Sequence, residues 1–153
     1  IKNSTIFDSS YNSSLEPATG ALETVSEIAG NRRRVAILGD MRELGSLSKI
    51  QHELLAKTVL KKVDLAILIG SMMNEFVAPI LRTENFKFQT FLTFKDAKKT
   101  ILETIRKDDL ILIKGSQNTL FLERAVEMLL ADKSDTKFLC RRERHWDKVR
   151  KEA

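Results

Sequence analysis

Three short stretches of the chain concentrate the residue types that do chemistry. The first, Asp8-Ser9-Ser10-Tyr11-Asn12-Ser13-Ser14, sets an acid, several hydroxyls, a phenol ring and an amide together just before a helical pattern begins. Asp8 can accept from a ribose hydroxyl and Tyr11 can flank a base, although the same Ser and Asn residues equally suit a turn and a helix cap. The second, Gly39-Asp40-Met41-Arg42-Glu43-Leu44-Gly45, brackets two acids and an arginine between glycines, which predicts a tight, charged loop. Asp40 or Glu43 can hold an ammonium group there; a salt-bridged surface turn is the competing use. The third, Lys114-Gly115-Ser116-Gln117-Asn118, opens a helical stretch. Backbone N–H groups at Gly115 and Ser116, the Ser116 hydroxyl and the Lys114 ammonium together form an anion site suited to a carboxylate or a phosphate. Against it stands a plain helix cap made by Ser116 or Asn118, with Lys114 in solvent.

Something must carry these stretches to one place. Short β-rich runs occur at 4–7, 34–39, 65–70, 87–92 and 110–114, and the second, third and fifth have continuously apolar centres. A strand covered on both faces, as in a parallel sheet, needs that pattern. Between the runs the apolar residues recur at helical spacing, as in Ala18-Ala21-Leu22-Val25, around Leu54–Val59, in Ala97-Ile101-Leu102-Ile105 and over 120–131. Alternating strands and helices predict an open, doubly wound α/β fold with a mostly parallel sheet and helices on both faces. Ligands of such sheets bind beyond the carboxyl ends of the strands, which is where all three stretches fall. The 39–45 loop is expected to lie between the other two.

Several chemistries are excluded. The chain has no G-x-x-x-x-G-K-[ST] and no G-x-G-x-x-G after a strand, so it lacks both common nucleotide-phosphate loops. His52, Cys140 and His145 do not make a metal set, no metal site is expected, and His52 reads as a surface or partly buried helix residue. No Ser-His-Asp or Cys-His pattern supports nucleophilic catalysis. Of the formal net charge of +5, residues 133–153 carry +4, so the body, residues 1–132, is nearly neutral and no nucleic-acid partner is expected. That basic tail is expected to be a solvated segment pinned to the domain by Phe138, Trp146 and Val149. One cysteine fits a reducing compartment, no apolar run reaches membrane-spanning length, and the first residues read as an excised domain rather than a signal peptide.

Taken together, Asp8-Ser9-Ser10-Tyr11-Asn12, Leu38-Gly39-Asp40-Met41-Arg42-Glu43-Leu44-Gly45 and Ile113-Lys114-Gly115-Ser116 resemble the C-terminal domain of the Mur ligase family. The likeness is greatest to the members that join D-Ala-D-Ala to UDP-MurNAc-tripeptide. It runs from about residue 5 to residue 130, and Gln51-His52-Glu53 is similar to the family's "E-L-H" helix. Ser9 stands where the family has a second acid, Leu15 where it commonly has proline, and Gln117 where it often has arginine.

The resemblance implies a Rossmann-like domain of a cytoplasmic, three-domain ligase of peptidoglycan-precursor synthesis, inactive alone. ATP and Mg2+ would be held mainly by the central domain, and the central and N-terminal domains would be this chain's partners. The substrates implied are ATP, the UDP-MurNAc-peptide and D-Ala-D-Ala, with no nucleic acid and no membrane. Asp8, Tyr11 and Asn12 match the nucleotide-side loop. Asp40, Met41, Glu43 and Leu44 match the loop facing the reaction centre, and Lys114, Gly115 and Ser116 match the segment near the incoming dipeptide. The residues also admit a stand-alone nucleotide- or amino-acid-binding module without catalysis.

Overall fold

The computed structural model describes residues 3–11, 13–115 and 120–139. Five strands, β1 (Thr5–Ser9), β2 (Arg34–Gly39), β3 (Leu65–Ile69), β4 (Phe88–Phe91) and β5 (Leu110–Lys114), form one sheet in the order β1-β5-β2-β3-β4. Every pairing is parallel. Helices α1 (Leu15–Ile28), α2 (Ser48–Lys62) and α3 (Ala78–Thr83) pack with Ala36, Leu38, Ala66, Leu68, Leu110 and Leu112 on one face. Helices α4 (Phe94–Thr104) and α5 (Glu123–Leu129) pack with Val35, Ile37, Ile67, Ile111 and Ile113 on the other. Alternate residues of each central strand thus enter opposite cores, which is why those strands are apolar throughout. The expected doubly wound architecture is what the chain adopts.

One expectation about the sheet fails. The loop after β2 does not lie between the other two candidate loops, because β5, the last strand, inserts between β1 and β2. The chain moves outward from β2 through β3 to β4, and the α4 crossover returns it to the gap.

A helical stretch also went unread. A single π turn, Met73–Val77, runs directly into α3. The π turn shifts the apolar register by one residue and Pro79 removes a donor just beyond it, so no clean 3.6-residue period remains in the sequence. The last long helix is shorter than its apolar pattern, Glu123–Leu129 rather than 120–131: Phe121 is left-handed at φ 47° and Leu130 is extended. Beyond it a 3-10 helix spans Lys133–Phe138. Phe138 does not pin the tail, being 76% exposed with the Lys137 ammonium over its ring, and Leu139 packs on the α4–α5 core instead. Trp146 and Val149 lie outside the described residues.

The edge of the sheet opposite the candidate loops is clamped by two adjacent arginines. Arg33 donates to Asp109 through Nε at 2.9 Å and Nη2 at 2.6 Å, and the nearly fully buried carboxylate also accepts the Arg106 N–H at 2.7 Å. Arg34 reaches the other way, to Asp64, at 3.0 and 2.7 Å. Paired forks of this kind combine charge with fixed geometry, and together they tie the foot of β2 to the approaches of both neighbouring strands. Hydrogen bonding to Asp64 holds the Arg34 guanidinium above its ordinary pKa, and the same bond holds the Asp64 carboxyl below the usual carboxylate range.

Gly20 lies within α1, exposed, with no heavy atom that an added Cβ would meet within 4 Å. Gly20→Ala is therefore expected to stabilise the chain by about 0.8 kcal/mol, the helical cost of glycine relative to alanine. Thermal unfolding checks this; a lower midpoint would mean that the helix needs the glycine.

Candidate functional site

The strand order brings the ends of β1, β5 and β2 side by side. A Cβ on Gly115 would stand 2.5 Å from the Ser10 carbonyl oxygen, and one on Gly39 would stand 3.7 Å from the Gly115 Cα. The backbones after all three strands therefore converge, and the first residue beyond β5 has no room for a side chain. The described parts of the three candidate stretches share one edge of the molecule.

On the β1 side, Asp8 is exposed, and its Oδ1 accepts the Ser10 N–H at 2.9 Å, closing a short turn. Tyr11 follows with its ring 58% exposed. Ser13 is buried, and its hydroxyl has no hydrogen-bond partner among the described residues. Ser14 stands at the N-cap position of α1 with an extended backbone, yet its side chain makes no capping bond. The helix entry thus does not need that hydroxyl. Asn12 lies outside the described residues.

From β5, Lys114 pairs in register with Ser9 and turns back toward β1. It is only 3% exposed, which removes the solvated alternative, and its Nζ donates to the Ser9 carbonyl at 3.2 Å. That carbonyl is its one acceptor among the described residues. Burial lowers the ammonium's pKa, and the nearby negative charge of Asp8 offsets part of the effect. Ser116, Gln117 and Asn118 lie outside the described residues, and with them the helix-start part of the anion site.

The β2 loop divides into an inner and an outer half. Asp40 and Met41 are buried. Asp40 accepts the Met73 N–H at 2.8 Å, and the Met41 N–H donates to His52 Nε2 at 3.1 Å. Glu43 is exposed and holds a left-handed backbone at φ 60°, rare outside glycine, while Leu44 is half-buried. Strain of this kind persists where the surroundings enforce it.

Sequence reasoning missed three contributors. His52 is fully buried rather than a surface or partly buried residue: its Nε2 holds Met41, and its Nδ1 faces the Ser48 carbonyl at 2.7 Å. The acceptor role of Nε2 fixes the proton on Nδ1. Its place on the buried stripe with Leu55, Ala56 and Val59 was the available signal. Gly70 follows β3 at φ 120°, and Asn74 donates to the Gly70 carbonyl at 2.6 Å and the Phe91 carbonyl at 3.0 Å, joining the ends of β3 and β4. No motif marks either residue.

The resulting edge offers a buried cation beneath two loops, carboxylates at Asp8 and Glu43, and an aromatic ring, a set able to hold a ligand carrying both signs of charge. Among the described residues no group of three His, Cys, Asp or Glu side chains could hold a metal ion, and no helix is long and apolar enough to cross a membrane.

A family model described as "Mur ligase, glutamate ligase domain" matches residues 1–117. The UDP-N-acetylmuramoyl-tripeptide–D-alanyl-D-alanine ligase of Bacillus subtilis is 27% identical over 128 residues, covering 82% of this chain and 28% of its own length. Among solved structures, the MurF ligase of Thermotoga maritima in complex with ADP superposes with a TM-score of 0.62 at 24% identity, covering 99% of this chain and 30% of that one. MurF of Acinetobacter baumannii gives a TM-score of 0.70 at 20% identity, over 84% of this chain and 28% of that one. At these identities the structural likeness speaks for the fold, and the chain spans less than a third of each of these proteins.

Proposed function

The chain belongs to the Mur ligase family through its glutamate ligase domain, and from that premise we propose that it is the C-terminal, substrate-closing domain of a cytoplasmic ATP-dependent ligase that joins D-Ala-D-Ala to UDP-MurNAc-tripeptide. The rest of that ligase would comprise an N-terminal domain and a central domain bearing the phosphate loop and the magnesium ligands. This division suits a chain with no G-x-x-x-x-G-K-[ST] and, among the described residues, no metal cluster. The exposed Asp8 carboxylate and Tyr11 ring suit the sugar and base of a nucleotide. ATP, when bound, supplies the phosphoryl group that turns the tripeptide's carboxylate into an acyl phosphate.

The chain's own residues then have separable tasks. Asp8 and Tyr11, with Asn12 from the family match, border the nucleotide. Lys114, with Gly115 and Ser116, holds the carboxylate of the dipeptide. Glu43 and Leu44 present the outer turn of the β2 loop to its amine, and Asp40 and Met41 form the inner frame of that loop.

The observation that carries this reading is the Lys114 ammonium, buried where two of the loops meet, with one carbonyl acceptor among the described residues. A buried, weakly compensated cation costs stability, and an anionic ligand compensates it. The test uses the full-length ligase. Glu43→Gln should lower turnover about tenfold or more while leaving the melting midpoint nearly unchanged, because misplacing a reacting amine costs rate steeply. The 153-residue chain alone should release no phosphate from ATP. Normal turnover in Glu43→Gln, or D-Ala-D-Ala-stimulated phosphate release by the chain alone, would defeat the assignment.

A further inference from the structure

Resting on the reading of the β2 loop above and deepening it, we propose that Asp40 is a positioning residue that fixes this loop from beneath, so that Glu43 alone of its two acids meets the amine. The Asp40 carboxylate is buried and is engaged by the next loop. Its Oδ1 accepts the N–H of Met73, the first residue of the π turn after β3. The space it occupies exists because residue 70 is a glycine: a Cβ there would stand 2.3 Å from the Asp40 Cγ and 2.4 Å from each carboxylate oxygen. A side chain at position 70 and a carboxylate in this place exclude each other.

Two further bonds hold the same short segment. The Asp40 N–H donates to the Ile69 carbonyl at 3.2 Å, and the Met41 N–H donates to His52 Nε2. The His52 ring lies 6.0 Å from that of Phe76 in the π turn, and the Ser48 hydroxyl donates to Met72 Sδ at 3.2 Å. The end of β2, the start of α2 and the turn after β3 are thereby one unit. Two residues beyond these anchors the chain must adopt the left-handed conformation at Glu43. Releasing the inner anchor lets Glu43 relax out of that conformation, although Asp40 itself touches no substrate.

The two roles differ in what they require of the side chain. Capping the Met73 N–H needs an oxygen acceptor, which an amide supplies as well as a carboxylate. Holding an ammonium ion needs the charge. In the 153-residue chain, Asp40→Ala should lower hydrogen-exchange protection of the Met73 amide at least tenfold, and Asp40→Asn should retain most of it. In the full-length ligase, Asp40→Ala should lower kcat about tenfold, Asp40→Asn should recover most of that loss, and the penalty of Asp40→Ala should vanish in a Glu43→Gln background. Asp40→Asn as damaging as Asp40→Ala, or an undiminished Asp40→Ala penalty in the Glu43→Gln background, would overturn the proposal. If the full-length protein shows no D-Ala-D-Ala-dependent turnover, the ligase reading falls by itself. The exchange comparison then decides Asp40: protection that survives Asp40→Ala overturns its capping role.

Discussion

Gly115→Ala is expected to lower stability by about 3 kcal/mol, the upper part of the range for overpacking a tight site, a fall of roughly 6–12 °C in melting midpoint for a chain of this size. The added Cβ would meet the Ser10 carbonyl oxygen at 2.5 Å and its carbon at 3.3 Å, with the Leu122 Cβ at 3.1 Å on another side. The nearest obstacle is main chain, which cannot rotate away, so the loop after β1 must lift from the end of β5. Gly39→Ala provides the comparison: its Cβ would approach the Leu120 and Leu122 Cδ1 atoms at 2.9 and 3.0 Å, both at the ends of flexible side chains. It should cost less than half as much. In the full-length ligase the Gly115 change should also reduce use of the dipeptide more than tenfold, since the lifted loop begins next to Ser9, the acceptor that orients Lys114. Equal melting midpoints for the two variants would show that the β1 loop yields without cost.

Lys114→Met is expected to move stability and function in opposite directions. The buried ammonium has its pKa lowered by desolvation, so the folded state binds that proton less readily than the unfolded chain does. The sign follows directly: the penalty is fully present at pH values below the folded pKa and is relieved as pH rises past the ordinary lysine value of 10.5. Methionine fills similar space without the charge, so the variant should melt higher than the parent at neutral pH, with the gap narrowing at alkaline pH. Its kcat/KM for the dipeptide should fall roughly 10- to 150-fold, the worth of one charge-assisted hydrogen bond. Stability spent on a site in this way is a recognised trade against activity. A variant that melts lower and turns over normally would make Lys114 a strut for the Ser9 carbonyl and nothing more.

Much of this fold was legible because parallel strands buried on both faces leave an unmistakable apolar run, as in Leu65-Ala66-Ile67-Leu68-Ile69. The positions of the three candidate loops followed, since ligand loops sit at strand ends whatever the strand order. The order itself was not legible: nothing in the run Leu110–Lys114 says that it enters between β1 and β2. Nor was the division of labour within Asp40–Glu43. Two acids three residues apart look alike in a sequence, and it is the glycine at position 70, just beyond another strand, that leaves room for one of them to turn inward. His52 was misread because a lone histidine among charged neighbours looks solvated, whereas its helical phase with Leu55 and Ala56 sets it on the inner face. The turn 73–77 was hidden by its own irregularity.

The insertion of β5 also has a consequence for how the molecule comes into being on the ribosome. Among the described residues β1 pairs with β5 alone, and one edge of β2 waits for the same strand. At synthesis rates of about 5–20 residues per second, the hundred or so residues between β1 and β5 keep β1 without a strand partner for roughly 5–20 s. During that interval β2, β3 and β4 can already assemble with the helices between them, as a three-stranded sheet with one raw edge. The last strand to emerge closes that edge, captures the first strand and brings Lys114 under Ser9 in a single event. A nascent chain stopped short of Leu110 thus carries most of its core and the anchored β2 loop, but neither Lys114 nor the meeting of that loop with the end of β1.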